Sequence, residues 1–321
     1  MTSPNNTATH ASGAGAAEEG FGGVRRETVY GCRYGHPRAW IAGMGVDGNA
    51  LVLGGGGVTG VAWEIGMLHG LAEHGVDLTG AGLFVGTSAG SSVAAQVLSG
   101  VPLKDLFDAQ LADASGEPAA RIGPGVILGF LVAGLWPGDP ARGRAWIGRR
   151  ALRTRTVPEA ERRAVIARRI GDGGWPAVRL RITAVEAQTG AVRVFDADSG
   201  VPLVDAVAAS CAVPQVWAPV TIDGVRYIDG GVRSVANVDL AEGSRRVVVL
   251  APTTRSARRS GRPDVQLASL GVPGAVVSPD AAAVRAIGAN VLDPARRRPA
   301  AEAGYAQAAA EADRLRAVWV Q

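Results

Sequence analysis

The sequence predicts an α/β fold built on a mostly parallel sheet, and two observations carry that prediction. Short apolar runs twice lead through a glycine-rich turn into a segment apolar enough for a core helix, first at Ala50 to Leu68 and again at Leu83 to Leu98. Successive strand–turn–helix units imply parallel strands joined by right-handed crossovers. The chain has 321 residues, of which 47% are hydrophobic and 19% charged, enough to bury a substantial core.

The first unit is the strand Ala50-Leu51-Val52-Leu53, the turn Gly54 to Gly57, and a helix opening near Val58. The second is the strand Leu83-Phe84-Val85, the turn Gly86-Thr87-Ser88-Ala89-Gly90, and a helix from Ser91 to Leu98. Residues 102–175 read as helical or irregular, with an apolar piece, Val126 to Trp136, flanked by Gly-Pro-Gly and Pro-Gly. Val178 to Val185 and Ala191 to Phe195 alternate apolar and polar residues around Gln188-Thr189-Gly190, the pattern of a hairpin. A helix follows at Leu203 to Ala212, then a second hairpin turning at Asp223-Gly224 that delivers Asp229 at the end of its outgoing strand. Arg246 to Leu250 is a buried strand, Thr253 to Pro263 a basic loop, and Ala275 to Ser278 a further strand; the Ala- and Arg-rich stretch after Asp280 reads as helix to the end.

Composition narrows the partners. The net charge is +4, and eight arginines between Arg149 and Arg169 face only Glu159 and Glu161, which fits a solvated helical face better than a membrane or nucleic-acid patch. No nucleic-acid module and no metal-ligand spacing is visible. Cys32 and Cys211 form no disulfide framework and are expected as free thiols in a reducing compartment. Residues 1–46 read as a flexible tail; the first 27 lack the basic start and apolar run of a signal peptide, so a cytoplasmic location is expected. Val126 to Trp136 falls short of the ~20 residues that span a bilayer, leaving it as a buried core helix or as a cap that lines an acyl channel or touches a lipid surface.

Gly55-Gly56-Gly57-Val58-Thr59-Gly60 satisfies GxGxxG after a strand. A dinucleotide site would need an acidic residue closing the second strand, where this chain has Gly86-Thr87-Ser88, and a P-loop would need a lysine after the glycines. What remains is a row of bare backbone N–H groups at a helix N-terminus, suited to an oxyanion, or a plain tight turn. GxSxG sets a serine hydroxyl on a sharp strand-to-helix turn, usually with a histidine supplied later in the chain. Here His10, His36, His69 and His74 all precede Ser88. His69 and His74 would lie at least roughly 15 Å along the first helix from its start, and His10 falls in the tail. His36, in an irregular stretch, stays open, but a carboxylate base fits better.

In this order, the glycine cluster, Gly86 to Gly90 and Asp229-Gly230-Gly231 resemble the patatin-like phospholipase family, over roughly Leu51 to Leu240. Ala209 to Pro214 and Pro219 to Ile228 resemble that family's approach to its aspartate. The resemblance implies a three-layer α/β sandwich, its central mostly parallel sheet flanked by helices, occupying 47–321 with a cap-like insertion at about 115–140. It implies a serine–aspartate dyad: Ser88 as nucleophile and Asp229 as general base. Gly55, Gly56, Gly57 and Ala89 would supply oxyanion donors, and Gly60, Gly86, Gly90, Gly230 and Gly231 would support the motifs. The expected activity is cleavage of lipid carboxylic esters through an acyl-enzyme, of phospholipase A or lysophospholipase type, without metal or cofactor. The expected partners are a lipid ester and a peripheral membrane surface. Acyl transfer to another alcohol, or lipid binding without turnover, would use the same fold. Thr59 departs from the family pattern, which commonly has Arg or Lys there, and so lowers the expected activity or alters the substrate.

Overall fold

The computed structural model describes residues 48–112, 120–171 and 173–319. The tail read over 1–46, with His10, Cys32 and His36, lies outside the described residues, as does part of the insertion expected at about 115–140.

Eight strands form one mixed sheet in the order β5-β6-β3-β2-β1-β7-β8, with β4 also paired to β3. They are β1 (Asn49–Leu53), β2 (Leu83–Gly86), β3 (Arg179–Glu186), β4 (Val192–Phe195), β5 (Val220–Ile222), β6 (Val225–Asp229), β7 (Arg246–Leu250) and β8 (Gly274–Val277). The pairs β3–β2, β2–β1, β1–β7 and β7–β8 are parallel, while the two expected hairpins, β3–β4 and β5–β6, and the β3–β6 pair are antiparallel. Ten α-helices accompany the sheet among the described residues: α1 (Gly57–Glu73), α2 (Ala89–Val97), α3 (Leu103–Leu111), α4 (Pro124–Gly134), α5 (Pro140–Arg153), α6 (Glu159–Ile170), α7 (Leu203–Ser210), α8 (Pro263–Leu270), α9 (Ala281–Ile287) and α10 (Arg297–Trp319).

The period-two pleat sorts the strand residues into two apolar layers. Leu51, Leu53, Phe84, Ile182 and Leu250 point into the larger core with α1, α2, α7 and α10. Ala50, Val52, Leu83, Val85 and Val249 point the other way, against Ala236 to Ala241 and Leu267 of α8. These layers make the expected three-layer α/β sandwich. Helix α1, buried over Val58 to Leu71, is covered by α10, where Trp63 Nε1 donates to Gln307 Oε1 at 3.2 Å.

Two stretches differ from the sequence reading. The C-terminal region is not one helix: α9 stops at Gly288, whose φ of +74° breaks the helical path, and α10 starts only after the turn at Pro294. Helix α8 follows the basic loop, opened by Pro263 at its first position, where proline's fixed φ suits a helix start.

Candidate active site

Register brings the motifs to one edge of the sheet. Leu53 pairs with Gly86, so β1 and β2 end level and their turns lie side by side; Thr87 N–H donates to Leu53 O at 3.0 Å and Gly90 N–H to Gly54 O at 3.0 Å. Gly86 pairs with Ile182, and Ala184, two residues further along β3, pairs with Asp229. The end of β6 therefore sits just past the end of β2. The Ser88 hydroxyl donates to Asp229 Oδ2 at 2.7 Å, and both side chains are buried.

Ser88 has φ +52° and ψ −116°, a backbone state that strains a residue with a Cβ by on the order of 1–3 kcal/mol. Neighbouring groups hold it there. Its N–H donates to Ser210 Oγ at 2.9 Å, and its carbonyl accepts from Ser91 Oγ at 2.6 Å and from the Cys211 thiol at 3.2 Å. Burial, then the charge of Asp229, push the Cys211 thiol up, which keeps it a neutral donor. Gly90 meets its requirement by close approach, because a Cβ there would lie 2.0 Å from Leu53 O. Gly86 ends β2, and a Cβ there would lie 2.6 Å from Ser91 Cα.

Asp229 is fixed from both sides. Its N–H donates to Ala212 O at 2.9 Å, and its Oδ1 accepts from Gly231 N–H at 2.7 Å. Burial pushes its carboxyl from an ordinary 3.8 up to about 6, against the lowering effect of the hydrogen bonds from Ser88 and Gly231. Gly230, pressed against Thr183 O, opens the turn that follows. The segment Ser210–Ala212 thus touches the backbone of both Ser88 and Asp229. Asn237 adds a second link, donating to Thr87 Oγ1 at 3.0 Å and to Gly230 O at 3.5 Å. Sequence reasoning gave no role to Asn237, which reaches Thr87 from 150 positions away, and took in Ser210 only as part of the stretch Ala209 to Pro214, without assigning its hydroxyl to Ser88.

The glycine loop requires one correction. Gly55 is not free to hold an oxyanion, because its N–H donates to Val235 O at 2.7 Å. Among the described residues no backbone acceptor takes the N–H of Gly56, Gly57 or Ala89, which open α1 and α2. Gly57 has φ +63°, and a Cβ there would strike Val291 O at 2.5 Å. Gly60 returns its N–H to Gly56 O at 2.9 Å. Thr59 is wholly buried; its N–H and Oγ1 both donate to Val291 O, at 3.1 and 3.3 Å. A carbonyl from the α9–α10 connection therefore holds the loop at the position where the family commonly has a cation.

Neither described histidine approaches this site. His69 packs on Phe107 and Tyr305, with ring centroids 5.1 and 5.5 Å away, and His74 Nδ1 bonds Gly70 O at 2.8 Å. One further acid is buried: Glu64 of α1. Burial holds its carboxyl well above the ordinary range, opposed by the Gly54 backbone.

A family model described as patatin-like phospholipase matches residues 51–242. Two solved structures are similar at low identity: VipD from Legionella pneumophila (12% identity, TM-score 0.41, covering 84% of this chain and 67% of that one) and the type III effector protein ExoU (17%, 0.40, 83% and 53%). The chain therefore spans about half the length of ExoU. No curated protein matches. The family match takes in more than half of the 321 residues and all three motifs, and on that ground the chain belongs to the patatin-like phospholipase family.

Proposed function

We infer that the protein is a serine acyl hydrolase of lipid carboxylic esters, of phospholipase A or lysophospholipase type. The observation that carries this reading is the 2.7 Å hydrogen bond from Ser88 Oγ to Asp229, a carboxyl that burial pushes up to about 6. A carboxylate of ordinary acidity is a poor base, and one raised toward neutrality is better matched to taking a hydroxyl proton at physiological pH.

Ser88 Oγ attacks the ester carbonyl as its proton passes to Asp229, and the N–H groups of Gly56, Gly57 and Ala89 hold the oxyanion. Asp229 returns the proton to the departing alcohol. Water then attacks the acyl-enzyme, its proton passing to Asp229 and on to Ser88 as the fatty acid leaves. Gly55 serves by anchoring the loop to Val235.

A fluorophosphonate probe tests the nucleophile. The purified protein should label at Ser88, and Ser88→Ala should lose both the label and turnover of a chromogenic short-chain ester. Turnover retained in Ser88→Ala would rule the reading out.

A further inference from the structure

Seven large apolar side chains are exposed among the described residues, and four of them, Ile127, Leu128, Leu131 and Leu135, lie on α4 or at its C-cap. Apolar residues exposed singly are ordinary, whereas a contiguous group marks an interaction surface. Helix α4 carries no charge from Pro124 to Gly134, and a helix apolar all round is normally buried all round. This one is buried on one side only. Gly129 and Ala133 face α5, whose Gly143 comes so close that a Cβ there would lie 2.2 Å from Ala133 O. The helix also packs on the turn Gly230–Val232, directly after Asp229.

The flanks of the exposed side are chemically distinct. Trp136 and Trp146, both half-buried, stand 5.9 Å apart, and the Arg150 guanidinium lies 5.1 Å from the Trp146 ring centre. Arg258 donates to the carbonyls of Gly134 and Trp136, setting a cation at the C-terminal end of α4. The loop that carries Arg258 also holds exposed Arg255 and Arg259, and its Ala257 touches Gly134. Leucine and isoleucine at the centre, indoles beside them and arginines at one end match the layers of a bilayer surface, from acyl chains to boundary to anionic head groups.

We propose that α4 is an interfacial helix that seats the protein on a bilayer bearing anionic phospholipids, beside the turn that follows Asp229. Its 11 residues span about 16 Å, too short to cross the hydrocarbon core and suited to lying in its plane. A second copy of the chain fits this face less well, because a two-fold pairing through α4 would set Arg255, Arg258 and Arg259 near their own counterparts. The proposal draws its purpose from the lipid-hydrolase reading, but binding is measured independently of turnover.

The test is co-sedimentation of the full chain, in a Ser88→Ala background, with phosphatidylcholine vesicles prepared with and without phosphatidylglycerol. Binding is expected to the anionic vesicles and to weaken at high salt. Ile127→Asp with Leu131→Asp, both at exposed positions, should lower that binding by about tenfold or more, as charge placed in an apolar layer does. In the Ser88 protein the same pair should lower turnover of vesicle phospholipid in proportion while changing turnover of a soluble short-chain ester by less than about twofold. No binding to anionic vesicles at low salt, or equal binding by the double variant, overturns the proposal. So does a concentration-dependent dimer in sedimentation velocity that the double variant abolishes while vesicle binding is unchanged. Loss of all esterase activity with vesicle binding intact would instead count against the hydrolase reading alone.

Discussion

The backbone N–H of Ser88 donates to the hydroxyl of Ser210, 122 residues later, at 2.9 Å. Ser210 is therefore a positioning residue for the strained turn, and its neighbour Ala212 does the same for Asp229. Ser210→Ala would leave a buried N–H without an acceptor, a loss of about 1–3 kcal/mol. We expect kcat for a short-chain ester to fall about tenfold with KM nearly unchanged and thermal stability reduced. Ser210→Thr should restore most of kcat; a variant that lowers stability but leaves kcat intact would remove Ser210 from the catalytic geometry.

The pH dependence follows from Asp229. As the proposed base it must be deprotonated, so kcat/KM should climb with pH, inflect near 6 and level off above it. A stopped pH series on a neutral chromogenic ester reads this directly, and a flat profile through that range would exclude Asp229 as the titrating base.

Asp229→Asn should abolish turnover and yet raise the melting temperature at pH 8. The folded carboxyl titrates near 6 and the unfolded one near 3.8, so the wild-type fold loses stability as pH rises between those values and stays at the lower level above them. Two units correspond to about 3 kcal/mol at most. The gain in the Asn variant should shrink toward pH 4, and calorimetry at both pH values checks it.

Glu64 follows the same sign. Its carboxyl is raised by burial, so ionising it above the unfolded value costs stability. Glu64→Gln should melt higher than wild type at pH 8 with the advantage fading in acid; an unchanged difference across pH would show that Glu64 is not the group being neutralised.

Thr59→Arg, which introduces the side chain common in the family, should not improve the enzyme. Thr59 is wholly buried with its hydroxyl on Val291 O, so a guanidinium there would force the α9–α10 connection away. Overpacking of this kind costs about 1–3 kcal/mol. Urea denaturation should show the loss, with kcat reduced as the loop shifts.

Much of this architecture was legible in the sequence because its signals are local. Apolar runs ending in glycine turns gave the first two strands and helices, and Asp223-Gly224 gave the hairpin that ends on Asp229. The geometry at Gly55 was not legible, because its N–H is occupied by Val235, a carbonyl that no spacing rule connects to it. Asn237 escaped for the same reason, and Ser210 was legible only as a member of the Ala209 to Pro214 stretch, its contact with the Ser88 N–H being set by the fold. Composition alone could not decide whether Val126 to Trp136 is core or surface, since a small-residue face at Gly129 and Ala133 lets an all-apolar helix pack on one side and leave its leucines outside. The break after α9 was hidden by an Ala-rich composition that favours helix throughout, and only Gly288 and Pro294 hinted at it.

The grip of Val291 on Thr59 ties residues 232 positions apart. The glycine turn is therefore held from a distant part of the chain, by a carbonyl that belongs to neither the strand nor the helix the turn lies between. A shift of the α9–α10 connection that draws Val291 away would release Thr59 and reshape the turn that carries Gly56 and Gly57.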